Sequence, residues 1–98
     1  MEKINSKKML SDVQPEKSFW VSNGPIIRNL KEAAAVIRKL SPEQFVHHVN
    51  HEKNDFAKWF EEVIGDKILA QRVRMMKTKD AIAKTVAQRI VALHKLAP

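Results

Sequence analysis

His47-His48-Val49-Asn50-His51-Glu52-Lys53-Asn54-Asp55-Phe56-Ala57-Lys58-Trp59 is the central stretch of this chain. It decides the helical organisation, and Gly65-Asp66 follows it closely. One continuous helix from residue 42 to residue 64 would place six apolar side chains on one face. Alternatively, Asn54 or Asp55 caps a new helix after a break. We favour the break because asparagine and aspartate bond the local backbone and so compete with a helix interior. The six apolar residues are Phe45, Val49, Phe56, Trp59, Phe60 and Val63.

Helices are predicted on both sides of this stretch, because apolar residues recur there at three- and four-residue steps. The first helix begins near Pro25 or near Leu30 and ends at Ser41-Pro42, where the second begins. Gly65 is a good helix stop, and Asp66 caps a helix of about residues 67–76. Thr78 caps the last helix. The apolar stripes are Ile27, Leu30, Ala34, Ile37 and Leu40 in the first helix, Leu69, Val73 and Met76 in the fourth, and Ile82, Val86, Ile90 and Leu93 in the last.

Residues 1–18 are polar without a sustained period, so we expect a flexible N-terminal arm, with room for one helical turn near Met9 and Leu10. Phe19-Trp20-Val21 is expected to be extended and packed on the core. Ser22-Asn23-Gly24-Pro25 is a predicted turn, in which Gly24 tolerates a positive φ. Residues 19–98 then form a single helical domain. The predicted fold class is all-α, a compact bundle of four or five short helices with a core that includes Trp20, Phe45, Phe56, Trp59 and Phe60.

Composition excludes several classes of protein. The chain has no run of 18 apolar residues and no apolar stretch at its N-terminus, so we expect a cytoplasmic protein with no membrane contact. Without cysteine it has no disulfide and no thiolate metal ligand. The net charge of +7 is uneven, since residues 67–98 carry eight basic side chains and one acidic one. This asymmetry indicates an acidic partner for the C-terminal third.

Each of the two C-terminal helices presents a basic face opposite its apolar stripe. One interpretation is a solvated surface that aids solubility. The other is an electrostatic footprint for phosphates or for an acidic protein. The predicted contact residues are Lys67, Arg74, Lys77, Lys84 and Lys95.

The histidines suggest a metal site, which we weigh against simpler roles. His47 and His51 are four residues apart and would share one face of a continuous helix, with Glu52 or Asp55 as a third zinc ligand. The segment does not match the H-E-x-x-H pattern of zinc proteases. A helix break near residue 54 would also redirect the acidic residues. We therefore expect exposed or hydrogen-bonding histidines and no metal or cofactor.

His48 lies beside the predicted apolar face of its helix. We expect it to donate a hydrogen bond from within the core and to help position the turn at Asn54-Asp55. A catalytic role would need a nucleophile or a substrate pocket. The chain has no cysteine or tyrosine, and its serines lie at predicted caps and turns. We find no nucleophile–base arrangement and predict a protein that is not an enzyme.

The central stretch resembles a family of small helical domains of unknown function found in archaea and bacteria. The pattern is F-x-H-H-V-N-x-E-K-N-D-F-A-x-W, then G-D and L-A, over residues 45–70, and the Asn-Gly turn within residues 19–30 is similar too. The resemblance covers about half the chain and implies an accessory module; it brings with it no activity, cofactor or catalytic residue. The basic C-terminal segment departs from the pattern. We predict a protein-interaction module, with nucleic-acid binding as the alternative.

Overall fold

The computed structural model describes residues 5–96, which form six α-helices and one short β-hairpin. This confirms the predicted helical bundle, with one helix more than expected. The additional helix, α1 (Ser6–Leu10), lies in the predicted arm and is capped by Asn5, whose side chain accepts a hydrogen bond from the Lys8 N–H. A 3-10 turn at Pro15–Lys17 follows it.

Residues 5–18 pack on the bundle, where a flexible arm was expected. Met9, Leu10 and Val13 lie against the hydrophobic core. The Val13 N–H donates to the Arg28 carbonyl at 2.8 Å, and the Trp59 indole N–H donates to the Lys17 carbonyl at 2.8 Å. These contacts hold the segment in place. Residues 1–4, the rest of the predicted arm, lie outside the described residues.

The β-hairpin joins β1 (Phe19–Trp20) to β2 (Ile26–Ile27) in antiparallel register, with Phe19 opposite Ile27. Because side chains alternate along a strand, Phe19 and Val21 are buried while Trp20 points outward and is 69% exposed. The prediction that Trp20 belongs to the core is therefore wrong.

The hairpin turn departs from the sequence prediction in one detail. The positive φ falls at Asn23 (52°), not at Gly24. Gly24 is required by close packing, since a Cβ there would lie 2.7 Å from Val21 Cγ1 and 2.8 Å from Gln44 Nε2. Gln44 also donates hydrogen bonds to the Ser22 and Asn23 carbonyls, and so fixes the turn against the next helices.

Helix α2 (Leu30–Arg38) begins at the later of the two predicted starts, where the Asn29 side chain accepts from the Glu32 N–H. Helix α3 (Pro42–His48) begins with a reciprocal capping box between Ser41 and Gln44. Both helix starts thus follow from side chains that satisfy otherwise unpaired N–H groups.

The predicted break in the central stretch is confirmed. Helix α3 ends at His48, and α4 (Asp55–Trp59) begins after the Asn54 side chain accepts from the Ala57 N–H. A π-helical turn, Phe60–Ile64, continues α4 and ends at Gly65, which has a left-handed φ of 84°. Helix α5 (Lys67–Arg74) is capped by Asp66, as predicted.

Helix α6 (Lys79–Leu96) packs against α2, α1 and α5 and closes the core. Thr78 caps it by accepting from the Ala81 N–H. The aromatic core centres on Phe19 and Phe56, whose rings stack with centroids 4.6 Å apart. Within residues 5–96, no helix is both long and apolar enough to cross a membrane.

Candidate interaction surface

The five predicted basic contact residues are all exposed, but they lie in three places. Lys67 lines a cleft between α1 and the turn at Gly65. Arg74 and Lys77 line a second cleft, beside the loop between α3 and α4. Lys84 and Lys95 line neither cleft and project from α6. The structure therefore does not gather the five residues into one cluster.

Three of the eight basic residues in the segment 67–98 are engaged by other groups or buried. Arg74 pairs with Glu61 at 3.3 Å, with both side chains substantially exposed. The Lys79 ammonium donates to the Leu40 carbonyl at 2.6 Å, near the end of α2. Arg89 is buried. The side chains of the other five basic residues of this segment make no ion pair with any residue of the described chain: Lys67, Arg72, Lys77, Lys84 and Lys95.

The outer face of α6, which we define as Lys84, Gln88, Val91 and Lys95, combines positive charge with an apolar side chain. Steps of four, three and four residues place these side chains in one line along the helix. All four are exposed, and Val91 has 55% of its surface in solvent. Four of the seven large hydrophobic residues exposed on the described chain lie within the two basic helices or the turn that joins them: Ile68, Met75, Val91 and Leu96.

The second cleft, which we call the loop cleft, has a volume of about 550 Å³ and includes much of the central sequence stretch. Four cationic side chains line it: Lys53, Lys58, Arg74 and Lys77. Glu52 and Asp55 are its acidic lining residues, and Lys53 already binds Asp55 at 3.0 Å. The excess of cations gives the cleft a positive character that suits an anion.

The two histidines of the metal hypothesis do not share a helix face. Helix α3 ends at His48, so His51 lies in the following loop, and the side chains of both His47 and His51 are exposed. His51 has Glu52 as its nearest acid, at 3.7 Å. Over residues 5–96, no group of three or more potential metal-binding side chains is arranged to hold an ion.

His48 connects three elements through its two ring nitrogens. It is 5% exposed and packs edge-on against Phe19, with ring centroids 4.9 Å apart. The Ser22 backbone N–H donates to Nε2 at 3.0 Å, and Nδ1 lies 3.0 Å from Asp55 Oδ2. Since Nε2 accepts, we assign the ring proton to Nδ1, which donates to Asp55. This geometry agrees with the predicted link between His48 and the start of α4.

The Asp55 carboxylate is held in its charged form by its neighbours. Burial raises the pKa of Asp55, but hydrogen bonds from His48 and Lys53 and the charge of Lys53 together lower that pKa below its ordinary value. The first turn of α4 therefore carries a negative charge at neutral pH, where the helix dipole favours it.

Sequence reasoning missed the buried ion pair between Arg89 and Asp66. Arg89 Nε donates to Asp66 Oδ2 at 2.7 Å and Nη2 donates to Oδ1 at 3.2 Å, with side-chain exposures of 7% and 1%. The spacing held a signal, because Arg89 falls on the buried stripe with Ile82, Val86 and Leu93. A charged residue on such a stripe requires a buried partner.

Comparison of the chain with protein-family models, with curated proteins and with solved structures finds no match.

Proposed function

We propose that this protein is a non-enzymatic interaction module that binds an acidic, partly apolar protein segment through the outer face of α6. The proposal depends chiefly on one observation, the placement of exposed Val91 between Lys84 and Lys95 on a single helical line. A partner helix with acidic residues around an apolar one would match both features. Protein interfaces characteristically place apolar contacts at the centre and charges at the rim.

Mixed character favours a protein over a nucleic acid at this face. Phosphate backbones bind cationic and polar side chains, and an exposed valine makes no favourable contact with a phosphate.

The test is photo-crosslinking from Gln88, in the middle of the outer face. We expect a crosslinker at Gln88 to capture an acidic protein from the source cell, and one at Lys31, exposed on α2, not to capture it. The double variant Lys84→Glu with Lys95→Glu should abolish capture. The control is Lys31→Glu with Lys39→Glu, which reverses the same amount of charge on and just after α2 and should preserve capture. Equal capture from both positions would refute the proposal.

Nucleic-acid binding is the second candidate, and the loop cleft favours it. Lys53, Lys58, Arg74 and Lys77 surround a space large enough for phosphates. Fluorescence anisotropy of labelled duplex DNA and single-stranded RNA tests this candidate at low and physiological salt. Binding that persists at physiological salt and is lost in Lys58→Glu with Lys77→Glu, but not in Lys84→Glu with Lys95→Glu, would support it. Absence of binding at low salt would exclude it.

A further inference from the structure

The cleft between α1 and the Gly65 turn differs in chemistry from the loop cleft. Its volume is about 560 Å³, within the range of small-molecule sites. Apolar side chains from α1, the π-helical turn and α5 form much of its wall, among them Met9, Ile64 and Ile68. Ile68 is 41% exposed, so apolar surface is accessible from solvent.

Arg89 lines this cleft while more than nine-tenths buried. Asp66 occupies the side edge of its guanidinium, formed by Nε and Nη2. The end edge consists of Nη1 and the second N–H of Nη2, and Nη1 makes no hydrogen bond with any residue between positions 5 and 96. Ser6 Oγ is the one fully buried side-chain polar atom in that range without a hydrogen-bond partner, so Nη1 of Arg89 is not fully buried where the residue borders the cleft.

The end edge of an arginine whose side edge is already occupied is suited to a carboxylate. Two parallel N–H groups match the two oxygens of a carboxylate and bind it at two points. Asp66 both neutralises Arg89 and fixes its orientation, so little side-chain entropy remains to be lost on binding.

The charges around the cleft indicate a ligand with a single negative charge. Lys8 and Lys67 line the cleft and are exposed, against one exposed acid, Glu62. With Arg89 and Asp66 compensating each other, the excess is one positive charge. A polyanion would exceed this charge and would leave the apolar wall unused.

We propose that this cleft binds a small carboxylic acid with an apolar body, with the carboxylate on the end edge of Arg89 and the body against Met9 and Ile68. This site is separate from the outer face of α6. The proposal therefore does not depend on the acidic-partner function.

Octanoate is a suitable probe, with octanol as the neutral control of equal chain length. In 1H–15N NMR titrations we expect octanoate to shift the Arg89 Nε–H signal and the amides of Lys67 and Ile68. Octanol should bind at least about tenfold more weakly, because it cannot form the two-point charged contact. Equal affinity for the two probes would overturn the proposal.

Two variants locate the site. Arg89→Lys retains a charge beside Asp66 but lacks the end edge, and we expect it to weaken octanoate binding about tenfold. Ile68→Glu places a negative charge on the apolar wall and should abolish binding. Val91→Glu makes the same exchange on the outer face of α6 and should leave binding unchanged. Thermal unfolding followed by circular dichroism checks that each variant folds. If Arg89→Lys does not fold, the difference in octanoate affinity between Ile68→Glu and Val91→Glu still tests the site. Unchanged affinity in a folded Arg89→Lys, or in Ile68→Glu, would contradict the proposal.

Discussion

The imidazole of His48 accepts a hydrogen bond from the backbone N–H of Ser22, 26 residues earlier in the chain, at 3.0 Å. The same ring donates to Asp55, so one buried side chain joins the hairpin, the end of α3 and the start of α4. A neutral ring with its proton on Nδ1 satisfies both contacts.

Replacing His48 should therefore be costly. We expect His48→Ala to lower the free energy of unfolding by about 2–4 kcal/mol, because it opens a cavity and leaves the half-buried Ser22 N–H unpaired. Urea denaturation followed by circular dichroism measures the change. His47→Ala, at the exposed neighbouring position, should stay within about 0.5 kcal/mol of the wild type. Similar losses in the two variants would show that the His48 contacts are not important for stability.

Stability should fall in acid through Asp55. Its folded-state pKa is below the ordinary value, so the carboxylate stabilises the fold above the unfolded-state pKa of about 3.9. That contribution is lost as the pH falls through the folded-state pKa. We expect Asp55→Asn to be less stable than the wild type near pH 7 and to lose less stability on acidification. Urea midpoints measured between about pH 6 and about pH 2.5 test this.

The matched control for this pH experiment is Glu16→Gln, since Glu16 is exposed and forms no ion pair within the described chain. Glu32→Gln should behave like Asp55→Asn, because hydrogen bonds from Arg28 lower the pKa of Glu32. A pH profile of Asp55→Asn that parallels the wild type would show that Asp55 carries no such linkage.

Arg89 should be required for stability, because its removal leaves the buried carboxylate of Asp66 without a cationic partner. We expect Arg89→Leu to destabilise the fold by about 3–5 kcal/mol. Adding Asp66→Asn should recover part of this loss, since asparagine removes the charge and still accepts from the Leu69 N–H. Arg72→Leu, exposed on α5, is the control. Urea denaturation distinguishes these variants, and a double variant no more stable than Arg89→Leu would argue against charge burial as the cause.

Gly65 should resist substitution for a backbone reason alone. Its φ of 84° is left-handed, and apart from Gly65 and its two chain neighbours no atom of residues 5–96 lies within 4 Å of a Cβ placed there. Gly65→Ala should therefore cost about 1–2 kcal/mol of unfolding free energy, and Gly65→Asn clearly less, because asparagine tolerates this conformation. Equal thermal midpoints for alanine and glycine would mean that the turn relaxes without strain.

Local chemistry made much of the fold predictable. Asn54, Gly65, Asp66 and Thr78 each end or begin a helix in the structure, as their side chains or backbone freedom predict. These signals act within four residues, so they can be recognised without knowledge of the tertiary structure. The break after His48 also removed the geometric basis of the shared metal site at His47 and His51.

Long-range arrangement was less predictable. Hydrophobicity alone predicts that Trp20 belongs to the core. In the strand, however, side chains alternate between the two faces, so its neighbours Phe19 and Val21 are buried and Trp20 is exposed. The partner of Arg89, Asp66, lies 23 residues away in the sequence. A count of charges along the chain therefore includes Arg89 in the basic excess of the C-terminal third, although the ion pair neutralises it. Whether Lys67, Arg74 and Lys84 share a surface depends on the relative rotation of α5 and α6, which no local pattern specifies.

The hydrogen bond from the Trp59 indole to the Lys17 carbonyl gives the protein a built-in optical reporter. Trp59 is buried and Trp20 is exposed, so iodide should quench the red-shifted emission of Trp20 and leave that of Trp59 almost unaffected. In a Trp20→Phe variant, the remaining fluorescence would follow release of residues 5–18 from the bundle. Detachment of the N-terminal segment could then be timed separately from loss of the helices, without any attached dye.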